Sequence, residues 1–208
     1  MLSGRVFLAI ALLLFFYWLL ELAGIFFSIK TIFTRKAAHV ISGLSAVWLL
    51  FWLSYYDFIF LLVFFTLVFV FAWRIRLFKS IHLPDVKNLG EIYFPLGLLS
   101  VVVFFYFDKP AAIAGLLVLA ISDTLAGMSV LFHKKTTKTW IGGLVFFLSA
   151  FLILFSVQIY FGFLITPVVV FKTALIAFWG AVVEFFSPQG SDNLTIPFFT
   201  AIAYKILF

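Results

Sequence analysis

The sequence has no cysteine, and only 11% of its 208 residues are charged. The first absence excludes disulfides, thiolate metal sites and cysteine nucleophiles. The second excludes a soluble domain, in which about a quarter of the residues carry charge. Familiar catalytic signatures are missing as well: there is no GxxxxGK[ST] loop, no HExxH, no GxSxG and no kinase-type glycine-rich loop. Any nucleotide chemistry must therefore use a scaffold other than the P-loop. What is present is apolar: 66% hydrophobic residues, 22% aromatics with 32 Phe, and a mean hydropathy of +1.27. The apolar runs continue to Phe208, so a signal sequence followed by a globular body does not fit. Met1–Leu20 has too long an apolar stretch for a signal peptide, and Glu21 leads into more membrane-like sequence rather than a small-residue cleavage site.

A spanning segment must satisfy its own backbone hydrogen bonds, which leaves helices or a closed barrel. Barrel strands give short alternating segments; these runs are long and continuous. The expected fold is an all-α, polytopic membrane bundle of about seven to eight transmembrane helices, forming one integral membrane domain over 1–208. The spans read as Val6–Ile29, Ala37–Ser54, Phe58–Trp73, Glu91–Phe107, Ala111–Phe132, Ile141–Leu164, Ile165–Phe186 and Leu194–Phe208. Several sit near the short end of the roughly 17–25 residues a spanning helix needs. The cut before Ile165–Phe186 rests on Thr166-Pro167, with proline at the first turn of the next helix.

Alternate connections sort by charge. Lys30, Arg35, Lys36, Arg74, Arg76, Lys79, Lys87, Lys134, Lys135 and Lys138 fall on one side; Arg5, Lys109 and Lys205 fall on the other, and Lys172 lies inside a span. The positive-inside rule puts the first set in the cytoplasm and both termini outside. A prokaryotic inner membrane is the expected location.

Ionisable groups inside spans cost roughly 2.5–3.5 kcal/mol at the centre and usually face a bundle interior or a cavity. Arg35 and His39 share one helix face. Glu91 opens its helix beside the basic loop, Glu184 lies within a turn of the Ser187–Asn193 loop, and Asp192 and Asn193 occupy that loop. Asp123 is deeper, and Gly127 on its face lets the helix bend or a neighbour approach. Four helix ends thus carry His, Asp, Glu, Asn, Lys and Arg to one membrane face, while the other offers mainly Asp57, Asp108 and Lys109. Carboxylate and amide oxygens hold Mg²⁺, and Mg²⁺ bridges phosphate oxygens. Lysine and arginine neutralise the remaining phosphate charge. Plainer readings compete. Arg74, Arg76 and Lys79 read as topology signals and anionic-lipid contacts. Glu21 and Lys172 read as structural, through an ion pair or by snorkelling. Asn193-Leu194-Thr195 matches a glycosylation sequon but lies on the wrong side for one.

Arg35-Lys36-Ala37-Ala38-His39 with Gly43, Gly90-Glu91-Ile92-Tyr93-Phe94-Pro95-Leu96-Gly97, Ser122-Asp123-Thr124-Leu125-Ala126 with Lys138-Thr139-Trp140-Ile141-Gly142-Gly143, and Glu184 with Asp192-Asn193-Leu194-Thr195-Ile196-Pro197 occur in that order. Together they resemble the RKxxH…G, GDxxA…K[ST]xEG[ST] and E…DNxxxP elements, and the shorter middle block, of the phytol kinase and dolichol kinase family of CTP-dependent lipid kinases. Two positions depart from the pattern: Ser122 replaces the usual Gly, and Ile141 stands where the family usually has Glu. A related acidic residue and K[ST]xEG-like loop occurs in phosphatidate cytidylyltransferases.

The resemblance implies phosphoryl transfer from CTP to an isoprenoid alcohol or similar lipid hydroxyl. On physical grounds Asp123 and Asp192 are expected to hold Mg²⁺, with Asn193 as an oxygen ligand or nucleotide contact. Lys138 and Lys134, with Thr139 and the Gly142-Gly143 backbone, are expected at the phosphates. Arg35 and Lys36 are expected to grip phosphate or headgroup, with Glu91 alongside. His39 or Glu184 is expected to orient the attacking hydroxyl. The expected partners are a membrane lipid and a nucleotide, with no nucleic acid, and a homodimer is an allowed assembly. Two alternatives stay open: a CDP-lipid synthase, and a transporter lined by Glu21, Asp123 and Lys172. The transporter calls for polar groups in both membrane halves and often a repeated half; the polar residues are one-sided, and no internal repeat is evident.

Overall fold

The computed structural model describes residues 2–75, 77, 89–129, 138–188 and 190–208. Among them the regular structure is entirely helical: α1 Gly4–Phe26, α2 Thr31–Trp52, α3 Tyr55–Ile75, α4 Gly90–Phe105, α5 Lys109–Ser129, α6 Trp140–Tyr160, α7 Pro167–Phe186 and α8 Asp192–Leu207. Five of these (α1, α3, α5, α6 and α7) are long and apolar enough to cross a membrane, and α4 is a shorter apolar helix. All eight expected spans are present as helices, with ends shifted by a few residues.

The starts follow local chemistry. Asp108 caps α5 by accepting from the Ala111 amide at 3.3 Å, with Pro110 in the first turn. Thr166 caps α7 through the Val169 amide at 3.3 Å, with Pro167 as the first helical residue. A side-chain oxygen at that position satisfies an amide the helix cannot, and proline there gives up a donor that has no use. The break before α7 begins earlier than the Thr-Pro pair, because α6 ends at Tyr160 and Gly162 turns the chain at φ +76°.

α5 is the centre of the bundle. Of its most apolar stretch 72% is buried, against 17% for α1 and 28% for α6 and α7. It packs against α2, α4, α6 and α8, and its small buried residues Ala111, Ala112, Ala114, Gly115 and Ala120 allow the neighbours close. A Cβ on Gly43 of α2 would lie 2.5 Å from that of Ala120, and one on Gly115 would lie 2.5 Å from the Pro197 carbonyl oxygen of α8. With lipid as apolar as the side chains, such close backbone packing is what holds membrane helices together.

The two ends of the bundle use charge differently. At the end formed by the starts of α1, α3, α5 and α7, cations and hydroxyls cap backbone carbonyls. Arg5 donates to Trp52 O (3.2 Å), Tyr106 to Leu53 O (2.6 Å) and Lys109 to Leu50 O (2.8 Å), all at the exit of α2. Lys172 donates to Leu207 O at 2.7 Å at the end of α8. Lys172 thus reaches a helix terminus, while Glu21, its expected ion-pair partner, stands near the other end of α1. These groups complement the negative ends of helix dipoles. One ion pair stands there as well, Lys205 Nζ at 3.8 Å from Asp108 Oδ2; at the opposite end, cations meet several carboxylates.

Candidate functional site

The site begins where α2 enters the bundle. Arg35, Lys36 and His39 occupy its second and third turns, and each makes its own set of contacts. Arg35 Nη1 lies 4.0 Å from Glu91 Oε1 at the start of α4. Lys36 Nζ lies 2.9 Å from Asp123 Oδ2 and also donates to the Asp123 carbonyl at 3.2 Å. Gly127 makes that reach possible, since a Cβ there would be 2.7 Å from Lys36 Nζ. The close neighbour expected beside Gly127 is this side chain. His39 Nε2 is 3.2 Å from the Leu119 carbonyl and 3.6 Å from Asp123 Oδ2.

Asp123 owes its direction to a defect in its helix. Val118–Asp123 forms a π turn inside α5. One extra residue per turn swings the following side chains around the axis and loosens the carbonyl ladder, and such turns gather at functional sites. Two carbonyls of this turn, Leu119 and Asp123, accept from His39 and Lys36. α2 therefore both neutralises the carboxylate and stabilises the turn that presents it. Ser122, the residue in place of the usual glycine, is fully buried in this turn, and its Oγ has no hydrogen-bond partner among the described residues.

The second half of the site comes from the end of α7 and the start of α8. Lys138 Nζ sits 3.1 Å from Glu184 Oε1 and 2.9 Å from Asp192 Oδ2, and it also donates to the Glu184 carbonyl. Burial disfavours its charge, yet the facing Asp192 and Glu184 carboxylates hold its pKa above the ordinary lysine value. Asp192 Oδ1 accepts from the Asn193 amide at 2.9 Å, and Asn193 Nδ2 donates to Gly90 O at 2.8 Å. Asn193 thus ties α8 to the start of α4.

The halves meet at three carboxylates. One oxygen each from Asp123, Glu184 and Asp192 lies within 4.8 Å of the others. Three hard oxygen donors converging in this way suit a divalent cation. The charges agree: Arg35, Lys36 and Lys138 face Glu91, Asp123, Glu184 and Asp192. His39 apart, one negative charge is in excess in a largely buried cluster. Burying unpaired charge is expensive; among the described residues a divalent cation would turn this balance from −1 to +1, which suits an anionic ligand.

Other expected residues take more local places. Thr139 caps α6, accepting from the Gly142 amide on its hydroxyl (3.1 Å) and from the Gly143 amide on its carbonyl (3.1 Å). In this conformation the Gly142 and Gly143 amides expected at a phosphate are engaged in starting the helix. Lys134 and Lys135 lie outside the described residues. A small cavity opens beside the cluster, walled by Arg35, His39, Glu91, Asn193 and, from α1, Tyr17. Sequence reasoning missed Tyr17 and also Phe94, whose ring lies 4.3 Å from that of His39. The available signal for Tyr17 was a phenol in the middle of an otherwise apolar first span, where an unpaired hydroxyl is costly.

Among curated proteins, the chain is similar to the phytol kinase of Synechocystis sp., 32% identical over 181 residues that take in 81% of this chain and 76% of that protein. No protein-family profile matches the chain, and no solved structure matches it.

Proposed function

The chain belongs to the phytol kinase and dolichol kinase family of membrane lipid kinases, and from this we propose that it transfers the terminal phosphoryl group of CTP to the hydroxyl of an isoprenoid alcohol at the cytoplasmic end of the bundle. The reaction joins the lipid oxygen to the γ-phosphorus and breaks the bond from that phosphorus to the bridging oxygen. CDP leaves, and the hydroxyl proton passes to a base. Such transfers depend mainly on positioning and charge neutralisation, and the observation that carries the reading is the convergence of Asp123, Glu184 and Asp192 with three cations. The position of the basic connections favours the cytoplasmic side.

Asp123, Glu184 and Asp192 are the residues that fit Mg²⁺. When bound, the ion neutralises charge on the phosphates and holds them in register. Lys36 and Lys138 now neutralise those same carboxylates, so an incoming triphosphate offers each ammonium an alternative anion one rotamer away. Arg35 stands at the cavity wall beside Glu91 and suits a phosphate oxygen in the same way. For the hydroxyl proton, His39 is the favoured acceptor. A carbonyl accepts only, so Nε2 must carry the hydrogen that it shares with Leu119 O, and Nδ1 is left with the lone pair. Asn193 acts as a positioning residue, through Gly90.

The direct test is purified protein with phytol, Mg²⁺ and CTP labelled at either the α or the γ phosphorus. The expected products are CDP and a lipid phosphate carrying the γ label, with turnover lost in EDTA and restored by Mg²⁺. Label from the α position in the lipid, with release of pyrophosphate, would replace the kinase with a cytidylyltransferase. Turnover that persists in EDTA would remove the metal assignment.

A further inference from the structure

Below the polar cavity lies a second, narrow one, walled by α1, α2, α3 and α4. The two meet at Tyr17, Phe69 and Phe94, which wall both, and the character of the lining changes from one to the other. The upper part is faced by Arg35, His39, Glu91 and Asn193. The lower part is faced by aliphatic side chains and phenylalanines from Ala46 and Leu49 on α2 to Phe58 and Leu61 on α3. Its two polar side chains, Tyr17 and Ser42, hydrogen-bond each other at 2.7 Å, which leaves the wall apolar. From Ala38, which lines the upper cavity, to Leu49, which lines the lower, α2 advances about 16 Å at 1.5 Å per residue.

We propose that this lower cavity is the binding slot for the hydrocarbon tail of the alcohol, so that the tail lies inside the bundle while the hydroxyl stands at His39. The assignment rests on the lipid kinase reading above and deepens it. An amphiphile is the occupant that matches both parts at once: an oxygen for the charged mouth and a chain for the dry shaft. Sites for small ligands share this make-up, mostly apolar walls with a few polar groups that fix orientation. Tyr17 and Ser42 form the neck, with Phe69 set edge-on to Tyr17 at 5.2 Å. The slot ends near Leu49 and Phe58, toward the far end of the bundle, so its depth limits chain length.

The test compares phytol with geraniol, a shorter isoprenoid alcohol, in wild type and in Ala46→Trp, which fills the shaft well below the reacting groups. Expected is a fall of about tenfold or more in kcat/KM for phytol, with geraniol little changed, as when a hydrophobic pocket rejects extra methylenes. An equal loss on both alcohols, or none on either, would overturn the slot. A measurement on the wild type avoids any folding defect of the variant: phytol bearing a photoreactive diazirine at its tail end is irradiated in the bilayer, and the adducts are mapped by peptide mass spectrometry. Adducts on Leu49, Phe58 or Leu61 support the slot. Adducts confined to exposed Leu67 and Phe71 of α3 would place the tail in the surrounding lipid and leave the kinase assignment standing. If the wild type phosphorylates no alcohol, the kinase reading falls and the slot falls with it.

Discussion

Asp123→Asn is expected to lower phosphoryl transfer by about 10²–10⁴-fold, the range found when a group acting directly on a reacting centre is removed. The change is nearly isosteric but strips the charge from the residue that belongs to both halves of the site. It faces Lys36 and His39 on one side and lies among Glu184 and Asp192 on the other. It also leaves the Lys36 ammonium, 19% exposed in its side chain, without its carboxylate. Breaking one partner of a buried pair typically costs about 3–5 kcal/mol, and the partial exposure of Lys36 puts this case at the low end. Loss of activity alone therefore has two explanations. The double variant Lys36→Met with Asp123→Asn removes the orphaned charge as well, and the single variant Lys36→Met gives the activity lost through Lys36 alone, against which the double variant is compared. Thermal stability, read from tryptophan fluorescence in detergent, should recover toward wild type while activity stays lost. Recovery of both would reduce Asp123 to a structural partner of Lys36.

A second large loss is expected from a residue that touches no substrate. Gly97→Ala on α4 puts a methyl group inside the contact distance of the Asn193 carbonyl oxygen and 3.1 Å from Pro197 Cγ. The obstacle is backbone, so no change of rotamer relieves it, and α8 must retreat. Asp192 is the first residue of α8 and moves with it. A displacement of about an ångström from the productive geometry can cost about 100-fold in rate, whereas overpacking of this kind costs about 1–3 kcal/mol in stability. The expected result is a protein that still folds and is far less active. Gly4→Ala, where nothing lies within 4 Å, is the control and should match wild type. If Gly97→Ala keeps full turnover, the placement of the α8 start does not govern the reaction.

Much of the architecture was readable before any coordinates. Long apolar runs with no alternation leave helices as the solution in lipid, and each of the eight expected spans is a helix among the described residues. Asp108 with Pro110 and Thr166 with Pro167 mark helix starts because capping and the proline ring act within one turn. Gly162 was a missed stop signal of the same local kind. The gathering of Arg35, His39, Glu91, Asp123, Lys138, Glu184, Asp192 and Asn193 toward one end also followed from counting residues along each helix.

Which of them touch did not follow. Arg35 and Lys36 are neighbours in sequence yet serve carboxylates on different helices, because one step around an α-helix turns a side chain by about 100°. Lys36 and Asp123 are 87 positions apart, and Lys138 and Asp192 are 54 apart. No local pattern encodes either pair. The π turn at Val118–Asp123 changes the angle at which Asp123 leaves α5, so a regular-helix projection aims it wrongly. Glu184 was read as an orienting residue, and only the meeting of α7 with α8 sets it among the other carboxylates.

The sequence by itself settled what is averaged along the chain: that it lies in a membrane, how many helices it makes, and which ends carry charge. The tertiary structure decided the pairings, the three-carboxylate cluster and the slot between α1 and α4. Those depend on the rotation of each helix about its own axis, and that rotation is set by glycine and alanine contacts with neighbours far away in sequence.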